Sequence, residues 1–320
     1  MFRLFEQFLF ARRSKKYYIE AEVFTRPDRS PLIVPPDDAM KPTLPLFASL
    51  LLAFSVPSLK AADAWFADTR PGAASFSRLE ADAWMPSTDR EFLETFDSAA
   101  PLVVVVHGNW MSLAEAKAHG KVLHQRSRNI GPHRLLVWSW PSDRIGTRLR
   151  QDVQTKASRA DAQSKHLIAL LRSLPADSRV SLVGFSFGAK LVCNALQNYG
   201  EESSTHRIRT VLLAAAMDQA SLQPGNQYGN ALAATEKMLV HVNRFDSRLR
   251  FYPLLNGCGG PEAVGREGIN RHGMSAEAMG KIRSVSVNRL IGSKHGFMNS
   301  LATFLACRND FKAYALFLGD

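Results

Sequence analysis

The stretch "VSLVGFSFGAKLV", Val180 to Val192, decides the fold. An apolar run leads into Gly184-Phe185-Ser186-Phe187-Gly188, and a helix-like sequence follows. A serine between two glycines, where a strand becomes a helix, is either a tight structural turn or a nucleophile on a strained corner. The second reading gives both glycines a reason. Side chains there would clash with the incoming strand and helix, while the serine hydroxyl is held clear of the sheet above the unused N–H groups of the helix's first turn.

Outward from this corner, short β-branched runs alternate with longer helical patterns from Leu102 onward, which predicts an α/β protein with a mostly parallel central sheet and helices on both faces. "LVVVVH" (Leu102–His107) is a continuous apolar strand, and "RLLVWSW" (Arg134–Trp140) is the next, with a helix between them at "SLAEAKAHGKVLHQRS". Arg150 to Leu174 predicts a long helix with Ala160, Leu167, Leu170 and Leu171 on one face. Further strands are expected at "VSLVG", "TVLLAAAM" (Thr210–Met217), "KMLVHVNRF" (Lys237–Phe245) and "SVNRLIG" (Ser286–Gly292), followed by a C-terminal helix through "SLATFLACRNDFKAYALFL". Residues 65–100 supply one or two antiparallel edge strands, for instance in "SFSRLEADAW", and glycine-rich Asn256 to Gly273 reads as a surface loop.

A neutral serine attacks poorly and needs a base. His295, after the last expected strand and before the final helix, is the first candidate among nine histidines. His107 reads as a residue that pins its loop, and His241 as a core histidine within a strand. The base needs a carboxylate to fix its tautomer. Asp218 and Asp246 both end strands and both preserve the chain order Ser, Asp, His; Asp246 is preferred because the strand just before the histidine's is the commoner source. Two backbone N–H groups must meet the developing oxyanion. Phe187, after the serine, supplies one, and "HGNW" (His107–Trp110) supplies the other through Asn109, with Gly108 allowing close approach. In "WSWPSD" (Trp138–Asp143), Pro141 ends a strand and Asp143 caps the next helix, with Trp138 or Trp140 as a candidate lining for the pocket mouth.

Residues 102 to 320 resemble the α/β-hydrolase fold, and more narrowly a bacterial branch of exported serine esterases and lipases. The resemblance rests on "VVVVHGN", "WSWPSD", "GFSFGAKLV", "RFDSRL" (Arg244–Leu249) and "KHGF" (Lys294–Phe297), in that order. It implies Ser186 as nucleophile, His295 as base, Asp246 as acid and the amides of Phe187 and Asn109 as oxyanion hole, with no metal or organic cofactor. Phe187 stands where related sequences often carry methionine, a change of pocket shape rather than of mechanism. The expected reaction is cleavage of a carboxylic ester, in a small molecule or a lipid, through an acyl-enzyme. An acyltransferase or thioesterase would use the same groups, and a non-catalytic exported binding module would keep the fold without the chemistry. The segment from Arg250 to Lys281, between acid and base, is a candidate mobile lid.

Composition sets the remaining bounds. With 46% apolar residues in 320, the chain can bury an ordinary core. The net charge of +11 favours anionic surfaces, so peripheral contact with one is an expected property. The basic residues are scattered without an aromatic ladder, and nucleic acid is not an expected partner. "MKPTLPLFASLLLAFSVPSLKAADA", residues 40–64, has the layout of a secretory signal ending at a small-x-small site, Ala62-Asp63-Ala64. Translation from Met40, cleavage near Ala64 and export are expected, which leaves 1–39 as a spurious extension, 65–100 as an edge-strand region and 101–320 as the hydrolase domain. Cys193 is expected to be buried and reduced, and an oxidising compartment would permit Cys258 and Cys307 to pair.

Overall fold

The computed structural model describes residues 63–200, 206–256 and 259–319. Its order is β1 (Asp63–Asp68), β2 (Ser75–Glu80), β3 (Ala83–Ser87), α1 (Asp89–Glu94), β4 (Leu102–Val106), α2 (Leu113–Ser127), β5 (Arg134–Ser139), α3 (Leu149–Ser173), β6 (Arg179–Phe185) and α4 (Phe187–Tyr199). β7 (Arg207–Leu213), β8 (Lys237–Val242), α5 (Val264–Glu267), α6 (Ala276–Lys281), β9 (Ile282–Ser286), α7 (Asn288–Ile291), α8 (Phe297–Ala306) and α9 (Arg308–Tyr314) complete it.

Nine strands form one sheet in the order β3-β2-β1-β5-β4-β6-β7-β8-β9. The pairs β1–β2 and β2–β3 are antiparallel, and all others are parallel. β4 and β5 are buried at every residue, as strands covered on both faces must be. Val103, Val105, Leu135 and Val183 face Leu301, Phe304 and Phe311 of α8 and α9. Side chains alternate along a strand, so Gly184, next to Val183, points to the opposite face, where it meets Ala189 of α4. The chain runs from β4 outward to β5 and then returns to place β6 on the other side of β4. This reversal opens a crevice at the carboxyl ends of β4 and β6, where open α/β sheets bind ligands.

"SFSRLEADAW" is a hairpin of β2 and β3, turned by Ala81 and Asp82 at φ +44° and +63°, the left-handed pair of a two-residue hairpin. The edge-strand region also contributes β1, which is parallel to β5 and almost wholly buried. Arg134 ties this region down: it pairs with Asp63 at 2.8 Å, donates to the carbonyls of Phe92 and Thr95, and lies over the rings of Trp65 and Phe92. The boundary expected at Ala64 therefore falls inside β1, and cleavage there would remove the carboxylate that Arg134 pairs with. The rest of the expected signal and the upstream extension lie outside the described residues.

Three expectations are corrected. The last strand is "IRSVS", four residues upstream of "SVNRLIG"; Asn288–Ile291 instead forms a short helix that Gly292 ends at φ +62°. β9 is an exposed edge strand, so it lacks the apolar run that marks the inner strands. The C-terminal helix breaks at Cys307 into α8 and α9. The glycine-rich segment is only partly a surface loop. Ala263, Val264 and Gly265 are buried against the end of β7, through hydrogen bonds from Val264 N to the Met217 carbonyl and from Gly265 N to the Ala215 carbonyl.

Candidate active site

Ser186 sits at the corner between β6 and α4 with φ +54° and ψ −118°. A non-glycine residue there costs about 1–3 kcal/mol and persists only when its surroundings hold it. Ser186 N donates to the Leu213 carbonyl at 3.0 Å, while its own carbonyl accepts from Ala189 N at 3.1 Å and Ala216 N at 3.2 Å. The flanking glycines make this corner sterically possible. A Cβ on Gly184 would lie 2.5 Å from Cα of Ala189, and one on Gly188 would lie 2.3 Å from the Val106 carbonyl oxygen.

His295, in the loop between α7 and α8, brings Nε2 to 3.2 Å from Ser186 Oγ and Nδ1 to 2.7 Å from Asp246 Oδ2. A carboxylate only accepts, so the ring proton lies on Nδ1, and Nε2 is left to accept the serine hydroxyl. Asp246 is 1% exposed, and its other oxygen accepts from Arg248 N and Leu249 N, both at 2.9 Å. The turn after β8 thus fixes the carboxylate independently of the histidine. The loops bearing acid and base are joined by bonds from Ser247 N to the Ser293 carbonyl and from Asn243 Nδ2 to the Gly292 carbonyl. Phe185 packs its ring 5.1 Å from that of His295.

The loop after β4 lies against this group. A Cβ on Gly108 would come within 2.9 Å of Ser186 Cβ, so the absence of a side chain there sets how close the loop can approach. The backbone amides of Asn109 and Phe187 have no acceptor among the described residues, and the Asn109 side chain accepts from Trp110 N. Trp110 has φ +57°, and its amide also donates to the Ser142 carbonyl at 2.9 Å. His107 is fully buried. Trp140 N donates to its Nε2 at 3.3 Å, which puts the proton on Nδ1, where it is donated to the Gly108 carbonyl at 2.9 Å. It pins the loop, the role expected from sequence.

Other expected positions fall elsewhere. Asp218 lies beside the phenol of Tyr252, whose pKa is pushed up by burial and then by that carboxylate, and it makes no hydrogen bond to His295. Trp138 and Trp140 are fully buried beneath the loops and do not line a mouth. Asp143 caps no helix: α3 starts at Leu149 without a side-chain cap, and Asp143 pairs with Arg70 at 3.1 Å. Cys193 is buried, and burial raises its thiol well above the ordinary range. Cys307 is a free thiol, and Cys258 lies outside the described residues.

A buried ion pair near Trp110 was not foreseen. Lys156 meets Asp152 at 2.9 Å with side chains 0% and 2% exposed, and Asp152 also accepts from the Trp110 indole N–H and from Ile145 N. The signal was present in α3, where Lys156 falls on the stripe of buried Val153, Ala160, Leu167 and Leu171.

Two buried histidines give the protein an acid limit. Burial lowers both His107 and His241 from 6.5 to about 4, and neither ring nitrogen of His241 has a hydrogen-bond partner among the described residues. Below pH 6.5 the unfolded chain takes up protons that the folded chain refuses, so stability should fall as pH drops from 6.5 toward 4. Each histidine contributes roughly 3 kcal/mol over that window. Urea unfolding at pH 7 and pH 5 should show a clear fall in midpoint, and His241→Leu should reduce it; equal midpoints would refute the assignment.

The nine-stranded, mostly parallel sheet with its serine corner after a central strand defines an α/β hydrolase. Residues 87–258, more than half of the chain, match the family described as an alpha/beta hydrolase of unknown function (DUF900), and the chain belongs to that family. No curated protein matches it. Among solved structures, one similar chain is a protein provisionally named a cell surface hydrolase from Lactobacillus plantarum WCFS1. It shows 10% identity and a TM-score of 0.41, with 67% of this chain and 92% of that one covered. Another is a butyrate-bound thermophilic esterase, Est2, from Thermogutta terrifontis, at 13% identity, TM-score 0.30, and 71% and 88% coverage. Family membership rests on the 87–258 match.

Proposed function

We propose that the protein is a serine hydrolase that cleaves carboxylic esters through an acyl-enzyme on Ser186. The observation that carries this reading is the unbroken relay from Asp246 to His295 at 2.7 Å and from His295 to Ser186 at 3.2 Å, on a serine held in a strained corner. In the first step Ser186 Oγ bonds to the ester carbonyl carbon while Nε2 of His295 takes the hydroxyl proton. The carbonyl oxygen becomes an oxyanion, which the amides of Phe187 and Asn109 would receive. As the oxyanion collapses, the bond to the alcohol oxygen breaks and His295 returns the proton to the leaving alcohol. Water then repeats the sequence on the acyl-enzyme and releases the acid. Throughout, Asp246 holds the imidazole in one tautomer and stabilises the imidazolium.

The test is labelling of the full chain with a fluorophosphonate, which phosphonylates an activated serine. Stoichiometric labelling that is absent in Ser186→Ala is expected. A folded protein that takes up no label would refute the reading and favour a binding module.

A further inference from the structure

The relay leaves unexplained a second arrangement that joins the acid loop to the oxyanion loop. Arg248 follows Asp246 by two residues, and its guanidinium carbon lies 5.8 Å from the ring centroid of Trp110, the residue after Asn109. The contact therefore forms between the two loops that carry the acid and the candidate oxyanion amide.

Trp110 is an unusually fixed platform. Its left-handed backbone is held by Ser142, and its indole N–H by Asp152. Asp152 is in turn held by buried Lys156, whose ammonium lies 6.0 Å from the same ring. A buried ion pair is a poor source of stability, because desolvation offsets its attraction. Its effect here is positional: it locks the indole on which Arg248 rests. Arg248 lies within cation–π reach of this ring, and its guanidinium makes no hydrogen bond among the described residues, so its N–H fork is available for a bidentate oxyanion such as a carboxylate.

The charges around it point the same way. Arg248 is exposed and ion-pairs with no carboxylate among the described residues. Asp246 is already engaged by His295 and two amides, Asp152 by Lys156, and Asp143 by Arg70. Arg148 and Arg150, within one turn of Asp152, are exposed and likewise have no carboxylate partner among the described residues. Arg248 thus lacks an ion-pair partner among the described residues, and the buried Asp246 carboxylate, already engaged by His295, acts on it only electrostatically.

We propose that Arg248, seated on Trp110, is a specificity-determining residue that binds an anionic group of the substrate, so that the preferred esters carry a negative charge. The proposal rests on the serine-hydrolase reading, and the experiment separates the two. An alkyl fluorophosphonate and its ω-carboxy counterpart of equal chain length are compared as second-order labelling rates on the full chain. The comparison is made at low ionic strength and in high salt, for the native protein, Arg248→Gln and Arg90→Gln. Arg90 lies on α1, paired with Glu94, and controls for net charge.

The carboxylated probe should react at least tenfold faster, and salt should shrink that ratio because the contact is solvent-exposed. The ratio should fall toward one in Arg248→Gln and persist in Arg90→Gln. Equal rates in the native protein, or a preference that survives Arg248→Gln, would overturn the proposal while leaving the nucleophile established. Labelling by neither probe would remove the hydrolase reading, and this inference with it.

Discussion

His295→Ala should lower ester hydrolysis by about four to six orders of magnitude, and adding Ser186→Ala should cost little more, because groups that act as one unit are not additive. The geometry explains why. Nε2 is the only base within hydrogen-bonding distance of Ser186 Oγ among the described residues, and without it the hydroxyl keeps its proton at neutral pH. Asp246→Asn tests the other end of the relay. An amide can present its NH2 to Nδ1, which would push the ring proton to Nε2 and turn the acceptor into a donor, with a loss of about 10^4. The readout is kcat/KM with a chromogenic ester on proteins whose circular dichroism is unchanged. Independent, multiplying losses from His295→Ala and Ser186→Ala would refute a shared mechanism.

Gly188→Ala should destabilise the fold by about 3 kcal/mol or more, at the upper end of what overpacking costs. The new methyl would lie 2.3 Å from the Val106 carbonyl oxygen and 2.6 Å from that of His107, and both are backbone atoms at the end of a fully buried strand. Neither can turn aside as a side-chain tip could, so α4 would have to lift from β4. Gly280→Ala provides the contrast. Gly280 lies in α6 with no atom within 4 Å of the added Cβ, and alanine there should be neutral or stabilising by up to about 1 kcal/mol. Urea denaturation of the two variants reads the difference directly, and a Gly188→Ala protein as stable as the native one would mean that the helix is not seated on the strand as described.

The inner strands and the serine corner were legible because their signals are local. A run such as Leu102–Val106 is apolar at every residue only if both faces are covered, and the glycines around Ser186 mark a backbone approach that excludes side chains. His295 and Asp246 could be picked by chain order: Asp246 follows β8 directly, and His295 lies beyond β9 and the short α7, ahead of the final helices. What escaped depends on contacts between distant segments. β1 shows no extended apolar run and becomes a strand because β5 and β2 flank it. β9 is an edge, and its exposed residues carry no periodic signature. Trp110 and Arg248 are unremarkable alone, and only the meeting of two loops gives them a shared surface.

The segment between acid and base is a candidate lid, and its midpoint is held against the sheet. Ala263 bridges Asp218, Asn243 N donates to the Gly265 carbonyl, and Gly265 is pressed so tightly on β7's exit that a Cβ there would lie 2.3 Å from Ala215 N. A strap riveted at its centre cannot swing as a unit. Entry to Ser186 would then be governed by rotamer changes at the rim, which take picoseconds to nanoseconds, rather than by a microsecond-to-millisecond gate.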